Sequence, residues 1–134
     1  MVKITAIVLS AGKGSRMKSD IPKQYMQLNG KPVICYSLEA FEKAGFSSIV
    51  LVCGKDDVEY CKREIVQKYG YTKVKEVVPG GKERYHSVYE GLKAVQNTDY
   101  VFIHDGARPF VNEQIIKATY EAAGAFGACV AGMP

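Results

Sequence analysis

Ile4-Thr5-Ala6-Ile7-Val8-Leu9, running into Ser10-Ala11-Gly12-Lys13-Gly14-Ser15-Arg16-Met17 and then Pro22-Lys23-Gln24-Tyr25, decides how the rest of the chain is read. Lys3–Leu9 is a short, nearly continuous apolar run, which predicts a central strand covered on both faces. The glycine turn after it frees backbone N–H groups to face an anion. Lys13, Arg16, Lys18 and Lys23 lie within eleven residues, with Asp20 the only acid among them. A buried strand feeding a cationic turn suits a nucleoside triphosphate and the stabilisation of charge at phosphorus. The better-known glycine loops do not match. Met17 stands where a dinucleotide fingerprint needs its third glycine, and Gly30-Lys31-Pro32 lacks the hydroxyl residue of a Walker loop.

Outward from this stretch, strands and helices alternate. Ser48–Cys53, Lys73–Val78 and Asp99–His104 read as further strands, and Ala128–Ala131 as the start of a fifth. Pro32–Ala44 carries a helical stripe at Ile34, Leu38, Phe41 and Ala44. Asp57–Tyr69 places Val58, Cys61, Ile65 and Tyr69 on one face, with Asp56 or Asp57 as N-cap. Glu83–Val95 aligns Tyr85, Val88, Leu92 and Val95, and Asn112–Ala123 reads as a helix capped by Asn112. Apolar strands separated by amphipathic helices predict an α/β fold, a Rossmann-like and mostly parallel sheet with helices on both faces. Ligands of such sheets sit beyond the carboxyl ends of the strands. Ser10–Met17, Gly80–Arg84 and Asp105–Pro109 all fall there.

The bulk properties agree with one soluble domain. The 134 residues suffice for one core and are few for two. At 47% hydrophobic and 24% charged, the chain reads as a globule rather than a disordered or membrane-embedded segment. A net charge of +4 suits anionic small molecules and is too small to argue for nucleic acid. No apolar run approaches the ~20 residues of a membrane span, and no secretory leader is evident. Cys35, Cys53, Cys61 and Cys129 form no C-x-x-C pair and lie in apolar stripes, which predicts reduced core thiols and a cytoplasmic protein. With only His86 and His104 beside them, no zinc constellation is expected. Ala128-Cys129-Val130-Ala131-Gly132-Met133-Pro134 reads as a strand running into a turn, so residues 1–134 are expected to be a nucleotide-binding α/β domain that is a fragment of a longer nucleotidyltransferase domain.

Two further segments carry chemistry. Gly80-Gly81-Lys82-Glu83-Arg84-Tyr85-His86-Ser87 opens a helix with two glycines that let backbone approach a ring or ribose, and Ser87 offers a hydroxyl to a base. A plain turn before an ordinary helix is the alternative. His104-Asp105-Gly106-Ala107-Arg108-Pro109 ends a strand with a carboxylate suited to a metal or a substrate. Asp105 is otherwise a helix cap or the partner of Arg108. His104 reads as a packed strand-end residue, and Tyr25, Tyr36 and Tyr60 as packing residues.

Ala11-Gly12-x-Gly14-x-Arg16-Met17, Pro22-Lys23-Gln24-Tyr25, Gly80-Gly81-x-x-Arg84-x-x-Ser87-Val88 and His104-Asp105-Gly106-Ala107-Arg108-Pro109 occur in one order along the chain. In this the chain resembles the amino-terminal part of the 2-C-methyl-D-erythritol 4-phosphate cytidylyltransferases of non-mevalonate isoprenoid biosynthesis. The resemblance implies CTP and a small polyol phosphate as substrates, pyrophosphate and 4-diphosphocytidyl-2-C-methyl-D-erythritol as products, and Mg²⁺ or another divalent cation. It assigns Arg16 and Lys23 to the transition state. Ser10, Ala11, Gly12, Gly14, Gly80, Gly81, Ser87 and Ala107 go to the nucleotide, and Asp105 and Arg108 to the substrate; Asp105, read as a strand-end carboxylate, is also the candidate for the metal. It implies a homodimer for the longer form, whose remainder supplies a dimerising arm, an arginine reaching the partner's substrate and a late lysine. These residues alone are then expected to turn over poorly or not at all. The family usually has alanine where Ser10 stands, a change the turn should tolerate.

Three other readings stay open at this level. A ribitol-5-phosphate cytidylyltransferase shares the turn and the lysine, although Gly106-Ala107 favours the erythritol enzyme. A catalytically silent CTP-binding fragment is the second. A sugar-1-phosphate nucleotidyltransferase is the third, disfavoured by the Gly80–Ser87 and His104–Arg108 segments.

Overall fold

The computed structural model describes residues 3–10, 25–95 and 97–106. Four strands make one parallel sheet: β1 (Ile4–Ser10), β4 (Ser48–Cys53), β5 (Val74–Pro79) and β6 (Tyr100–Asp105). Their order across the sheet is β5-β4-β1-β6. The strand expected at Ala128–Ala131 and the helix expected at Asn112–Ala123 lie outside the described residues.

Side-chain alternation along β1 divides the core in two. Ala6 and Val8, with Ile49, Leu51 and Phe102, pack under the helix α1 (Val33–Lys43) through Ile34, Cys35, Leu38 and Phe41. Cys61 and Ile65 join them from the segment between β4 and β5. Ile7 and Leu9, with Val50 and Val52, face the opposite way, under the helix α3 (Arg84–Ala94). The chain therefore steps from β1 to β4 to β5 with its connections on one face. It then returns across the sheet to β6 through α3 on the other. That is what the right-handed crossover rule requires when strand order reverses, and β1 is where it reverses.

His104 is fully buried, with Nε2 3.1 Å from Ser37 Oγ and its ring edge-on to Phe41, so it packs as expected. Cys35, Cys53 and Cys61 are buried free thiols, and Cys129 lies outside the described residues. No helix among the described residues is long and apolar enough to cross a membrane.

Three local departures from the periodicity have physical causes. Residues 57–69 do not form one α-helix. A 3₁₀ turn (Lys55–Asp57) leads into a single helical turn, α2 (Val58–Tyr60), and then a π-helical stretch (Cys61–Gln67). Asp57 stands at the N-cap position of α2 without a side-chain capping bond, so the expected cap is not made. The predicted stripe nevertheless survives, with Cys61 and Ile65 fully buried.

α3 buries a different face from the one its large residues mark. Tyr85 is 68% and Leu92 45% exposed, whereas Ser87 and Gly91 are buried. Small residues let this helix lie close to the sheet, and Val88, Ala94 and Val95 pack beside them. The third departure is an unanticipated hairpin, β2 (Gln27–Leu28) and β3 (Lys31–Pro32). Asn29 and Gly30 turn it with φ of 52° and 90°, the positive pair that a tight hairpin turn demands. It is fastened by Lys31, whose Nζ lies 2.6 Å from Glu39 Oε1 on α1, and by Tyr36, whose hydroxyl donates to the Leu28 carbonyl.

Candidate functional site

Parallel register brings the ends of all four sheet strands to one edge. Ser10 pairs with Cys53, Cys53 with Pro79, and Leu9 with Asp105. The described candidate residues Ser10, Gly80, Gly81, Ser87, Asp105 and Gly106 therefore meet at the carboxyl edge, around the switch point at β1. Arg16, Lys23, Ala11, Gly12, Gly14, Ala107 and Arg108 lie outside the described residues. The segments carrying them depart from Ser10, arrive at Tyr25, or leave from Gly106.

The Gly80-Gly81 turn is held from both sides. Gly80 N–H donates to the Cys53 carbonyl at 2.7 Å, which ties the turn to β4. Gly81 N–H donates to Ser87 Oγ at 3.3 Å, which ties it to the first turn of α3. Ser87 is 4% exposed, so its hydroxyl serves first to shape the turn. A Cβ on Gly81 would sit 2.2 Å from His86 Cβ, so no side chain fits there. Glu83 N–H donates to His86 Nδ1 at 3.3 Å, which makes His86 part of the helix start.

At β6, Gly106 N–H donates to the Leu9 carbonyl at 2.7 Å, and a Cβ there would lie 3.1 Å from that same oxygen. Glycine thus lets the chain turn off the sheet directly beside β1. Asp105 is exposed at this end. Magnesium characteristically takes one or two carboxylates and completes its shell from substrate phosphates and water. A single exposed carboxylate at the carboxyl edge of the sheet fits that pattern. No group of three or more potential metal-ligating side chains occurs among the described residues.

One network was not legible beforehand. Ser10 Oγ donates to the Val52 carbonyl at 3.1 Å. The Tyr25 hydroxyl hydrogen-bonds Ser10 and lies 3.2 Å from Cys61 Sγ, and Cys61 in turn hydrogen-bonds Cys53. Burial, with the neighbouring Cys61, pushes the Tyr25 hydroxyl far above its ordinary range, so it stays a proton donor. The bond to Cys61, then burial, pushes the Cys53 thiol up, while Cys61 is lowered by the bonds from Cys53 and Tyr25 against its own burial. Tyr25 is 6% exposed and edge-on to Tyr60, which bears out its reading as a packing residue. The hydroxyl adds a polar tie between β1 and the helical segment after β4. Only the adjacency of an aromatic to Pro22-Lys23-Gln24 hinted at it.

Residues 4–134 match the family model described as 2-C-methyl-D-erythritol 4-phosphate cytidylyltransferase. Proteins of that name from Clostridium kluyveri and Lachnospira eligens are 49% and 51% identical over 129 and 131 residues, covering 96% and 97% of this chain. The chain spans 56% and 57% of the length of those two curated relatives. Among solved structures, the 4-diphosphocytidyl-2C-methyl-D-erythritol synthase of Anaerococcus prevotii superposes with a TM-score of 0.73 at 32% identity, over 90% of this chain and 50% of that one. The Francisella tularensis 2-C-methyl-D-erythritol 4-phosphate cytidylyltransferase gives 0.69 at 30% identity, over 92% and 52%. The chain belongs to the 2-C-methyl-D-erythritol 4-phosphate cytidylyltransferase family.

Proposed function

We propose that the whole protein carrying this chain transfers a cytidylyl group from CTP to 2-C-methyl-D-erythritol 4-phosphate, releasing pyrophosphate. The observation that carries the reading is the meeting of Ser10, Gly80-Gly81 and Asp105-Gly106 at one edge of a family-typical sheet. An oxygen of the substrate phosphate attacks the α-phosphorus of CTP, and the bond to the pyrophosphate oxygen breaks. The nucleophile is already an anion, so the reaction needs no strong general base. The difficulty is to bring two anions together and to stabilise charge spread over a five-coordinate phosphorus. Arg16 and Lys23 serve both ends of that task as fixed cations.

Ser10, Ala11, Gly12 and Gly14 present backbone donors to the triphosphate. Gly80, Gly81, Ser87 and Ala107 hold the nucleoside, and Asp105 and Arg108 orient the substrate. Asp105 is the residue to hold Mg²⁺, which when bound neutralises phosphate charge. We place the reaction in the cytoplasm and in a homodimer, the first supported by the buried free thiols.

The test is product formation from CTP by the whole protein, with erythritol and ribitol phosphates supplied in parallel. The erythritol phosphate is expected to be consumed and the ribitol phosphate spared. Arg16→Ala is expected to lower kcat by ~10²–10³-fold, as for losing one oxyanion donor. Unchanged turnover would remove Arg16 from this role.

A further inference from the structure

We infer that Gly91 is a positioning residue for the nucleotide turn, acting through the height at which α3 rests on the sheet; this rests on the reading of that turn given above. Gly91 is buried on the sheet-facing side of α3, exactly one helical neighbour beyond Ser87. A Cβ at this position would lie 2.7 Å from Ile7 Cγ2 and 3.1 Å from Val52 Cγ2. Neither contact yields cheaply. Both partners are β-branched and stiff at χ1, both are essentially unexposed, and they stand on β1 and β4 at the middle of the sheet. The absent side chain therefore sets how closely the helix backbone approaches these two strands.

That height has a consequence four residues upstream. Ser87 is carried by the same face of the same helix, and its Oγ receives Gly81 N–H at a long 3.3 Å. The other end of the turn is fixed independently, because Gly80 N–H is bonded to the Cys53 carbonyl of β4. Raising α3 off β1 and β4 pulls Ser87 away while Gly80 stays with the sheet. A bond already near its limit is lost first, and the backbone facing the nucleotide changes shape.

The test is made in the whole protein with Gly91→Ala. CTP affinity by calorimetry is expected to fall ~10-fold while kcat at saturation changes less than ~2-fold, since an ångström-scale displacement of a binding element is costly and the reacting groups sit on other segments. Exchange of the Gly81 amide is expected to accelerate. Ile7→Leu removes the branch under Gly91, and the double variant is expected to recover most of the affinity. Wild-type affinity in a folded Gly91→Ala variant would overturn the inference, as would a loss confined to kcat. Should that variant not fold, Val52→Ile thickens the floor beneath the helix and decides in its place: weakened CTP binding with kcat retained supports the inference, and unchanged binding overturns it. A wild-type protein that fails to bind CTP would instead refute the proposed function.

Discussion

Replacing Glu39 by glutamine tests how the hairpin and the segment leading into β5 are fastened to α1. The Glu39 carboxylate lies 2.6 Å from Lys31 Nζ and accepts the Tyr71 hydroxyl at 2.6 Å, one donor on each oxygen. Burial alone would raise this carboxyl, but the hydrogen bonds from Lys31 and Tyr71 and the nearby lysine charges outweigh it and hold it below its ordinary value of 4.5. An amide offers one acceptor in place of two and carries no charge. Charge-assisted bonds are worth roughly 1.5–3 kcal/mol each, and the Lys31 and Glu39 side chains are 27% and 25% exposed, so the expected loss is about 2 kcal/mol. For a domain of this size that is a fall in Tm of roughly 8 °C.

The pH dependence has a definite sign. A carboxyl lowered by folding contributes stability that is complete above 4.5 and is lost as the pH falls through the lower folded value. The gap between wild type and Glu39→Gln should therefore be full at neutral pH and close in acid below 4.5. Thermal melts of both proteins across that range are the assay. A gap that persists in acid, or is absent at neutral pH, would refute the assignment.

Two further outcomes concern the site. Gly81→Ala places a methyl 2.2 Å from His86 Cβ, so the turn must open by more than an ångström; CTP affinity is expected to fall by ~10²-fold in calorimetry with little change in Tm. Asp105→Asn is expected to raise the magnesium concentration needed for half-maximal turnover several-fold, measured by titrating the metal, and to leave folding unchanged because Asp105 is exposed.

The strands were legible because a parallel sheet covered on both faces writes itself as short unbroken apolar runs. Ser48–Cys53 coincides with its predicted limits, and the other three described sheet strands shift by one residue. The clustering of the candidate residues was legible to the extent that it follows from strand ends, since parallel register leaves Ser10, Gly80 and Asp105 nowhere else to go. What escaped was whatever depends on packing distance rather than polarity. Hydrophobicity ranks Tyr85 and Leu92 above Ser87 and Gly91, yet the face that fits the sheet is the small one. Asn29-Gly30 was a readable hairpin signal, but its arms of two residues each carry no alternation to confirm it. The π-helical winding at Cys61–Gln67 has no signature in a stripe that it leaves intact.

β5 closes one side of the described sheet, and its composition is Val74-Lys75-Glu76-Val77-Val78-Pro79. A strand so placed has a row of backbone donors and acceptors that another polypeptide can use as a template. Exposed Lys75 and Glu76 make such an approach carry charge out of water, and Pro79 has no donor to offer it. The flank that leads into the Gly80 turn is thus also a barrier to zippering between molecules, and exchanging Lys75 and Glu76 for valine would make this fold prone to fibrous self-association.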